Sequence, residues 1–304
     1  MSTALALWLA WLADAAFGEP RSAWHPVAWF GRAAAPLGQG ACSLRPAWAC
    51  AAGALGWCGL VGAAAAAAWW LQQALAAAPA WLAVPALALA LKPSFAWRML
   101  ADEVRAVDAA LAQGLEQGRA RLAWLCSRDV TQLDAATVRE TAIETLAENL
   151  NDSLVAPLFW FVVAGLPGAW AWRAANTLDA MWGYRGRWEW AGKWAARADD
   201  LLSWLPARLT GLALAAPRLW PALPAQARLT PSPNGGWPMG ALALQLGVQL
   251  RKPGVYVLNV GAPTPGAAAF AEGLRRCTAV AWGAAALAVL ALAAAPGAGG
   301  GLVW

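Results

Sequence analysis

Four stretches of almost uncharged, apolar sequence constrain this chain more than any other feature. They run from Ala47 to Leu71, Leu75 to Leu91, Leu154 to Trp172 and Thr278 to Ala295. About 20 such residues cross a bilayer core. Hydrophobic residues make up 60% of the chain and charged residues 13%, against roughly a quarter charged in soluble domains. The spacing predicts an all-α, polytopic integral membrane protein. Many of the 23 tryptophans, such as Trp69, Trp70, Trp81, Trp97, Trp172 and Trp182, stand where apolar runs meet polar ones, as rings at the headgroup level do.

About four full spans are expected, at 4–17, 47–71, 75–91 and 278–295. The first run, Ala4 to Trp11, lacks the basic front and small-residue cleavage site of a signal peptide and reads as a retained helix. Within 154–172, Gly165-Leu-Pro167-Gly interrupts the apolar run. Such a break fits a re-entrant or broken helix, tolerated where the freed backbone is buried in protein or lines a polar cavity; a kinked ordinary span is the alternative. Residues 201–216 are short for a span and enclose Arg208, so they are placed as an interfacial helix. The Gly-rich tail, Gly297 to Gly301, is expected to be disordered.

Basic residues in short loops mark the cytoplasmic side. Arg21, Arg32 and Arg45 precede the second span, no charge lies in Gln72 to Ala80, and Lys92, Arg98, Arg105, Arg119 and Arg121 follow the third. The termini are therefore expected outside and residues 92–152 in the cytoplasm, as a helical region with Val104, Val107, Leu111 and Leu115 at helical spacing. The five cysteines form no C-x-x-C pair and His25 is the sole histidine, which argues against a zinc site or a disulfide framework. A net charge of +5 suits anionic lipid or a phosphorylated substrate. The basic residues are spread over loops with no aromatic-basic repeat, so nucleic acid is not expected as a partner.

The densest polar cluster is Arg139-Glu-Thr-Ala-Ile-Glu144-Thr-Leu-Ala-Glu148-Asn149-Leu-Asn151-Asp152. On a helix Glu140, Glu144 and Glu148 share one face, where like charges repel by a few tenths of a kcal/mol per pair. Three glutamates alone read as a solvated face; their position beside an apolar half-helix makes them functional candidates. Glu148 and Asp152 are the acids expected to hold Mg²⁺, which binds through one or two carboxylates plus substrate phosphates. Three more clusters border apolar runs: Asn176-Thr177-Leu-Asp179, Arg197-Ala-Asp199-Asp200 and Ser232-Pro-Asn234-Gly-Gly-Trp237-Pro238. Each has a plain structural reading, as a helix-dipole partner or a turn. Arg139, Arg197 and Arg208 supply planar forks suited to phosphate.

These words together resemble the adenosylcobinamide-phosphate synthase family of cobalamin biosynthesis (CbiB/CobD), from Asp14 to about Tyr256. The match runs through Asp14 with Gly18-Glu-Pro20, His25-Pro26-Val27 with Gly31, Arg128-Asp129, Arg139 with Glu144, Ala147-Glu-Asn149 with Asp152, Ala156-Pro-Leu-Phe159, Asn176-Thr-Leu-Asp-Ala-Met181 with Gly183-Tyr184, Ala195-Ala-Arg-Ala-Asp-Asp-Leu201, Pro206-Ala-Arg-Leu209 and Ser232-Pro-Asn-Gly-Gly-Trp-Pro238. The chain departs from the family pattern at Leu150-Asn151 with Ser153, at Ser203, at Met239 and at Lys252-Pro253. These departures bear on substrate detail more than on reaction class.

The resemblance implies an ATP-dependent, Mg²⁺-dependent carbon–nitrogen ligase that joins aminopropanol or its O-phosphate to a propionate of adenosylcobyric acid. It implies a multi-pass protein of the inner (plasma) membrane with its site facing the cytoplasm, beside the lipid bilayer and other membrane enzymes of the late pathway. Catalytic candidates are Glu144, Glu148, Asp152, Asp179, Asp199 and Asp200. Substrate-binding candidates are Asp14, His25, Arg139, Asn149, Asn176, Thr177, Arg197, Arg208, Ser232 and Asn234. A lone histidine beside proline, as His25 is, is more often a hydrogen-bonded structural residue than an acid or base, and Asp14 reads also as a cap of the polar segment that follows. No Walker A pattern is present, so the nucleotide needs another cradle. A non-enzymatic sensor relative and a small-molecule transporter are the alternatives; the retained acid and amide words disfavour the first, and the absence of an internal repeat the second.

Overall fold

The computed structural model describes residues 2–295, so the Gly297 to Gly301 tail lies outside the described residues. The helices are α1 (Ser2–Phe17), α2 (Pro26–Cys42), α3 (Pro46–Ala76), α4 (Ala80–Leu91), α5 (Trp97–Gln113), α6 (Leu115–Leu122), α7 (Ala135–Leu150), α8 (Ala156–Trp182), α9 (Lys193–Leu202), α10 (Trp204–Leu214), α11 (Leu223–Ala227), α12 (Gly236–Leu246) and α13 (Ala267–Ala294). The sheet is one antiparallel hairpin, β1 (Leu250–Lys252) with β2 (Tyr256–Leu258), registered Arg251 to Val257. Four helical stretches are long and apolar enough to cross a membrane: Pro46–Ala76, Ala80–Gln113, Ala135–Trp182 and Ala267–Ala294. The chain is thus an all-α polytopic membrane protein.

Several boundaries differ from expectation. The full span expected over 4–17 is α1, a 16-residue apolar helix shorter than the four that are long enough to cross a membrane, and the helix expected from Thr278 begins at Ala267. The span expected from Leu75 begins at Ala80, because Pro79 disfavours helix at the residue before it and a turn intervenes. The stretch expected as one helix over 201–216 is two, broken at Ser203, with α10 covering Trp204–Leu214.

The chain forms two compact units. The first comprises Met1–Ala96, Ala156–Leu202 and Ala284–Trp304; the second comprises Trp97–Val155 and Ser203–Gly283.

In the first unit α3 packs along α8, α1 along α4, and α9 on both α3 and α8. Trp182 lies at the centre of one apolar cluster with Ala34, Val61, Ala175 and Leu178. Small residues permit that approach: Gly38 lies against the Trp182 ring and Gly53 against the Ala191 carbonyl, and a Cβ at either would clash. Trp172 and Trp182 are each 1% exposed, so these two rings are core and not interface anchors. Helix α8 breaks where expected from sequence. Ala164 leaves helical geometry and Gly165 takes φ 66° and ψ −157°, a region open essentially to glycine alone. The freed N–H of Leu166 donates to Gln72 Oε1 of α3 at 2.8 Å, wholly buried.

In the second unit α7 is the central helix, packed by α5, α6, α12 and β1. Asp134 caps its start, accepting from Thr137 N at 2.8 Å. Asn151 to Val155 form one π turn at its C-terminal end, a feature frequent at functional sites.

Candidate functional site

Helix α7 carries the acid row into the interior of the second unit. Glu140 is fully buried and Glu144 is 1% exposed, so the solvated-face reading of these glutamates does not hold. Each buried carboxylate meets a cation from a distant segment. Arg128 Nη2 lies 3.0 Å from Glu144 Oε2, and Arg251 Nε lies 3.1 Å from Glu140 Oε2. Tyr256, whose hydroxyl donates to Met239 Sδ at 3.6 Å, stands near Glu144, and burial beside that carboxylate pushes the phenol's pKa up. Lys252 and Arg128 stand within electrostatic range of both Glu144 and Glu148. Asp152 lies near Glu148 on the next turn, and Asn151 Nδ2 donates to its Oδ1 at 2.8 Å. Thr210 Oγ1 in turn donates to Asn151 Oδ1 at 3.1 Å, tying the π turn to α10.

The Ser232 to Trp237 loop closes over the same row. A Cβ on Gly235 would stand 2.9 Å from Glu148 Oε1, so the loop lies close enough that a side chain there would displace the Glu148 carboxylate. The Ser232 hydroxyl accepts from Asn234 N and Gly235 N, shaping the turn. Arg208 anchors it, donating through Nη1 to Asn234 Oδ1 at 3.0 Å and through Nη2 to the Pro233 carbonyl at 3.3 Å. Its guanidinium stacks on Trp204 and Trp237, 4.2 and 4.9 Å from the ring centroids. Two donated hydrogen bonds and the Trp237 stacking contact commit this side chain to the loop. Glu144, Glu148, Asp152, Arg208, Ser232 and Asn234 therefore form one site. Arg139 stands apart, its Nε 3.1 Å from Asp108 Oδ1. Asn149 donates to the Thr145 carbonyl at 3.0 Å and faces a separate cleft.

The remaining candidates fall in the first unit as two clusters. In one, Lys92 Nζ lies 3.0 Å from the fully buried Asp14 and contacts Glu19, and Glu19 Oε2 is 2.6 Å from His25 Nε2. His25 also caps α2 through Nδ1, which accepts from Val27 N at 3.2 Å. Burial opposes ionisation of Glu19, but the His25 hydrogen bond and the Lys92 ammonium outweigh it and hold its carboxyl below the usual range. In the other cluster Asn176 Nδ2 donates to Asp199 Oδ1 at 3.2 Å. Burial raises the Asp200 carboxyl's pKa against the opposing charge of Arg197, and Asp179 abuts Gly183. Thr177 turns its hydroxyl back to the Arg173 carbonyl at 2.7 Å.

Sequence reasoning left Arg128, Arg251, Lys252, Tyr256, Glu19 and Lys92 without roles, although Arg128 and Glu19 sit inside the quoted words. Among the described residues no three His, Cys, Asp or Glu side chains gather as a metal site. The Glu148 and Asp152 pair offers hard oxygen donors for a Mg²⁺ ion that also takes phosphate oxygens, and to that extent the residues fit the ion.

The family model described as CobD/Cbib protein matches residues 7–290. The chain is similar to the probable cobalamin biosynthesis protein CobD of Pyrococcus abyssi, with 41% identity over 84% of this chain and 86% of that protein. It is also similar to the cobalamin biosynthesis protein CobD of Chromobacterium violaceum, with 40% identity over 82% of each, and to that of Stutzerimonas stutzeri, with 41% identity over 84% of each. No solved structure matches the chain. A model spanning nearly the whole sequence, with relatives at this identity across more than four fifths of both chains, makes this protein a member of the CobD/Cbib family.

Proposed function

We propose that this chain acts in cobalamin biosynthesis as an ATP-dependent amide ligase that joins aminopropanol, or its O-phosphate, to the free propionate of adenosylcobyric acid. The pathway assignment rests on relatives named as cobalamin biosynthesis proteins. The reaction rests on one observation above the others: the Glu144, Glu148 and Asp152 row faces Arg128 and Lys252 under a glycine loop within a single unit.

Activation transfers the γ-phosphoryl of ATP to a propionate oxygen, so the β–γ bond breaks, a carboxyl oxygen–phosphorus bond forms and ADP departs. The amine then attacks the acyl carbon, the C–N bond forms, and inorganic phosphate leaves with its oxygen as the amine gives up a proton. Such transfer depends on positioning and on offsetting charge at the phosphoryl oxygens. Arg128 and Lys252 carry the compensating charge, and Glu148 and Asp152 would hold Mg²⁺, which when bound would draw charge from the nucleotide phosphates. Arg208 holds the Ser232 to Trp237 loop, whose Gly235 lies against Glu148. Positive loops around the second unit support a site on the cytoplasmic face of the inner membrane.

The test is turnover by protein purified in detergent. ATP consumption should need adenosylcobyric acid, the amine and Mg²⁺ together. Product that forms equally well without nucleotide would exclude the ligase mechanism.

A further inference from the structure

Beside the acid row runs a second stripe with the same four-residue step. Thr145, Asn149 and Ser153 each follow an acid by one position, so they line the neighbouring face of α7 and its π turn. This stripe forms one wall of a cleft of about 470 Å³, within the roughly 300–1,000 Å³ usual for small-molecule sites. Met99 and Leu100 of α5 and Leu125 supply apolar walls. At its mouth stands Trp124, 81% exposed, so the face of its indole is open to a ligand in the cleft. The far side holds the Glu103 and Arg121 pair at 2.6 Å, and the wall keeps one unmet donor, Arg121 Nε.

We infer that this cleft is the seat of the adenine base of the nucleotide, an assignment that rests on the ligase reading above. An exposed indole offers a stacking face to a planar base. The Asn149 carboxamide spends one N–H on Thr145 O, leaving its Oδ1 and second N–H for a ligand. That donor–acceptor pair matches adenine, whose N6 amino group donates while N7 accepts; guanine presents two acceptors, O6 and N7, on the same edge. The adjacency of the stripes completes the argument. A base held at Asn149 and Ser153 sends its phosphates one helical position around, onto Glu148 and Asp152 with Lys252 and Arg128. A nucleotide site without a Walker A loop thus arises from two parallel stripes of one helix.

Equilibrium dialysis of a non-hydrolysable ATP analogue with Mg²⁺, on full-length protein in detergent, tests the assignment. Trp124→Ala should raise the dissociation constant about tenfold, and Trp124→Phe should recover most of the loss because a planar face returns. Asn149→Ala should erase the preference for the ATP analogue over the GTP analogue. The KM for the amine should stay unchanged in all three, a split that general unfolding would not produce. If Trp124→Ala and Asn149→Ala both bind the analogue within twofold of the parent, the cleft is not the base site, while ATP-dependent turnover would leave the ligase reading standing. If the parent protein binds no adenine nucleotide and makes product without one, the ligase reading fails and this assignment fails with it.

Discussion

Lys92 serves three partners at once, and its removal shows what residue-scale chemistry the fold depends on. It contacts Asp14 and Glu19 and donates to the Phe95 carbonyl at 3.5 Å. Breaking a buried pair by deleting one partner typically costs about 3–5 kcal/mol, because the other charge stays buried. Lys92→Met is therefore expected to lower the thermal unfolding midpoint sharply in detergent, and an added Asp14→Asn should recover part of it. Glu19 sets a pH limb in the same cluster. Its folded pKa lies below the ordinary 4.5, so its contribution is complete above that value and disappears as pH falls through the depressed folded value. The unfolding midpoint should fall below about pH 4.5, and Glu19→Gln should flatten that limb. At the site, Asp152→Asn and Glu148→Gln should each cut kcat by about 10²-fold with unchanged yield; near-normal turnover at limiting Mg²⁺ in both would remove these acids from the mechanism. The acids were legible in the sequence because a four-residue step is local information. Their cations were not, since Arg251 reaches Glu140 across 111 positions and no periodicity encodes that distance.

At the element scale, the sequence located the interruption of α8 but not the π turn before it. Gly165 with Pro167 two residues on is strong local punctuation, whereas Asn151 to Val155 carry no such breaker, and the bond from Thr210 to Asn151 comes from 59 positions away. The β1–β2 hairpin was missed for a related reason: three residues per strand carry too little alternation to register. The tight seat of Gly235 yields a prediction that separates stability from catalysis. Gly235→Ala places a methyl against the mobile end of Glu148, so the fold should tolerate it while kcat falls at least tenfold, measured against an unaltered unfolding midpoint. Equal losses in both readouts would mean that the loop supports the fold and not the reaction.

For the whole molecule, hydropathy was enough to announce a helical membrane protein, since backbone satisfaction in lipid leaves few architectures. The division into two units was not legible, because each is assembled from segments far apart in sequence. Orientation follows from charge. With basic loops held inside, a cysteine at position 115 should resist a membrane-impermeant reagent added to intact cells. Efficient labelling there would invert the arrangement and carry the acid row to the other face.

The Gln72 to Leu166 hydrogen bond also makes two distant helices depend on each other. An unmet N–H in hydrocarbon costs several kcal/mol, and the partner for Leu166 is encoded 94 residues earlier. The backbone freed at the break in α8 is therefore satisfied only together with α3. Gln72→Leu would leave every apolar run intact and remove this acceptor, so the unfolding midpoint in detergent should fall although the chain becomes no less apolar.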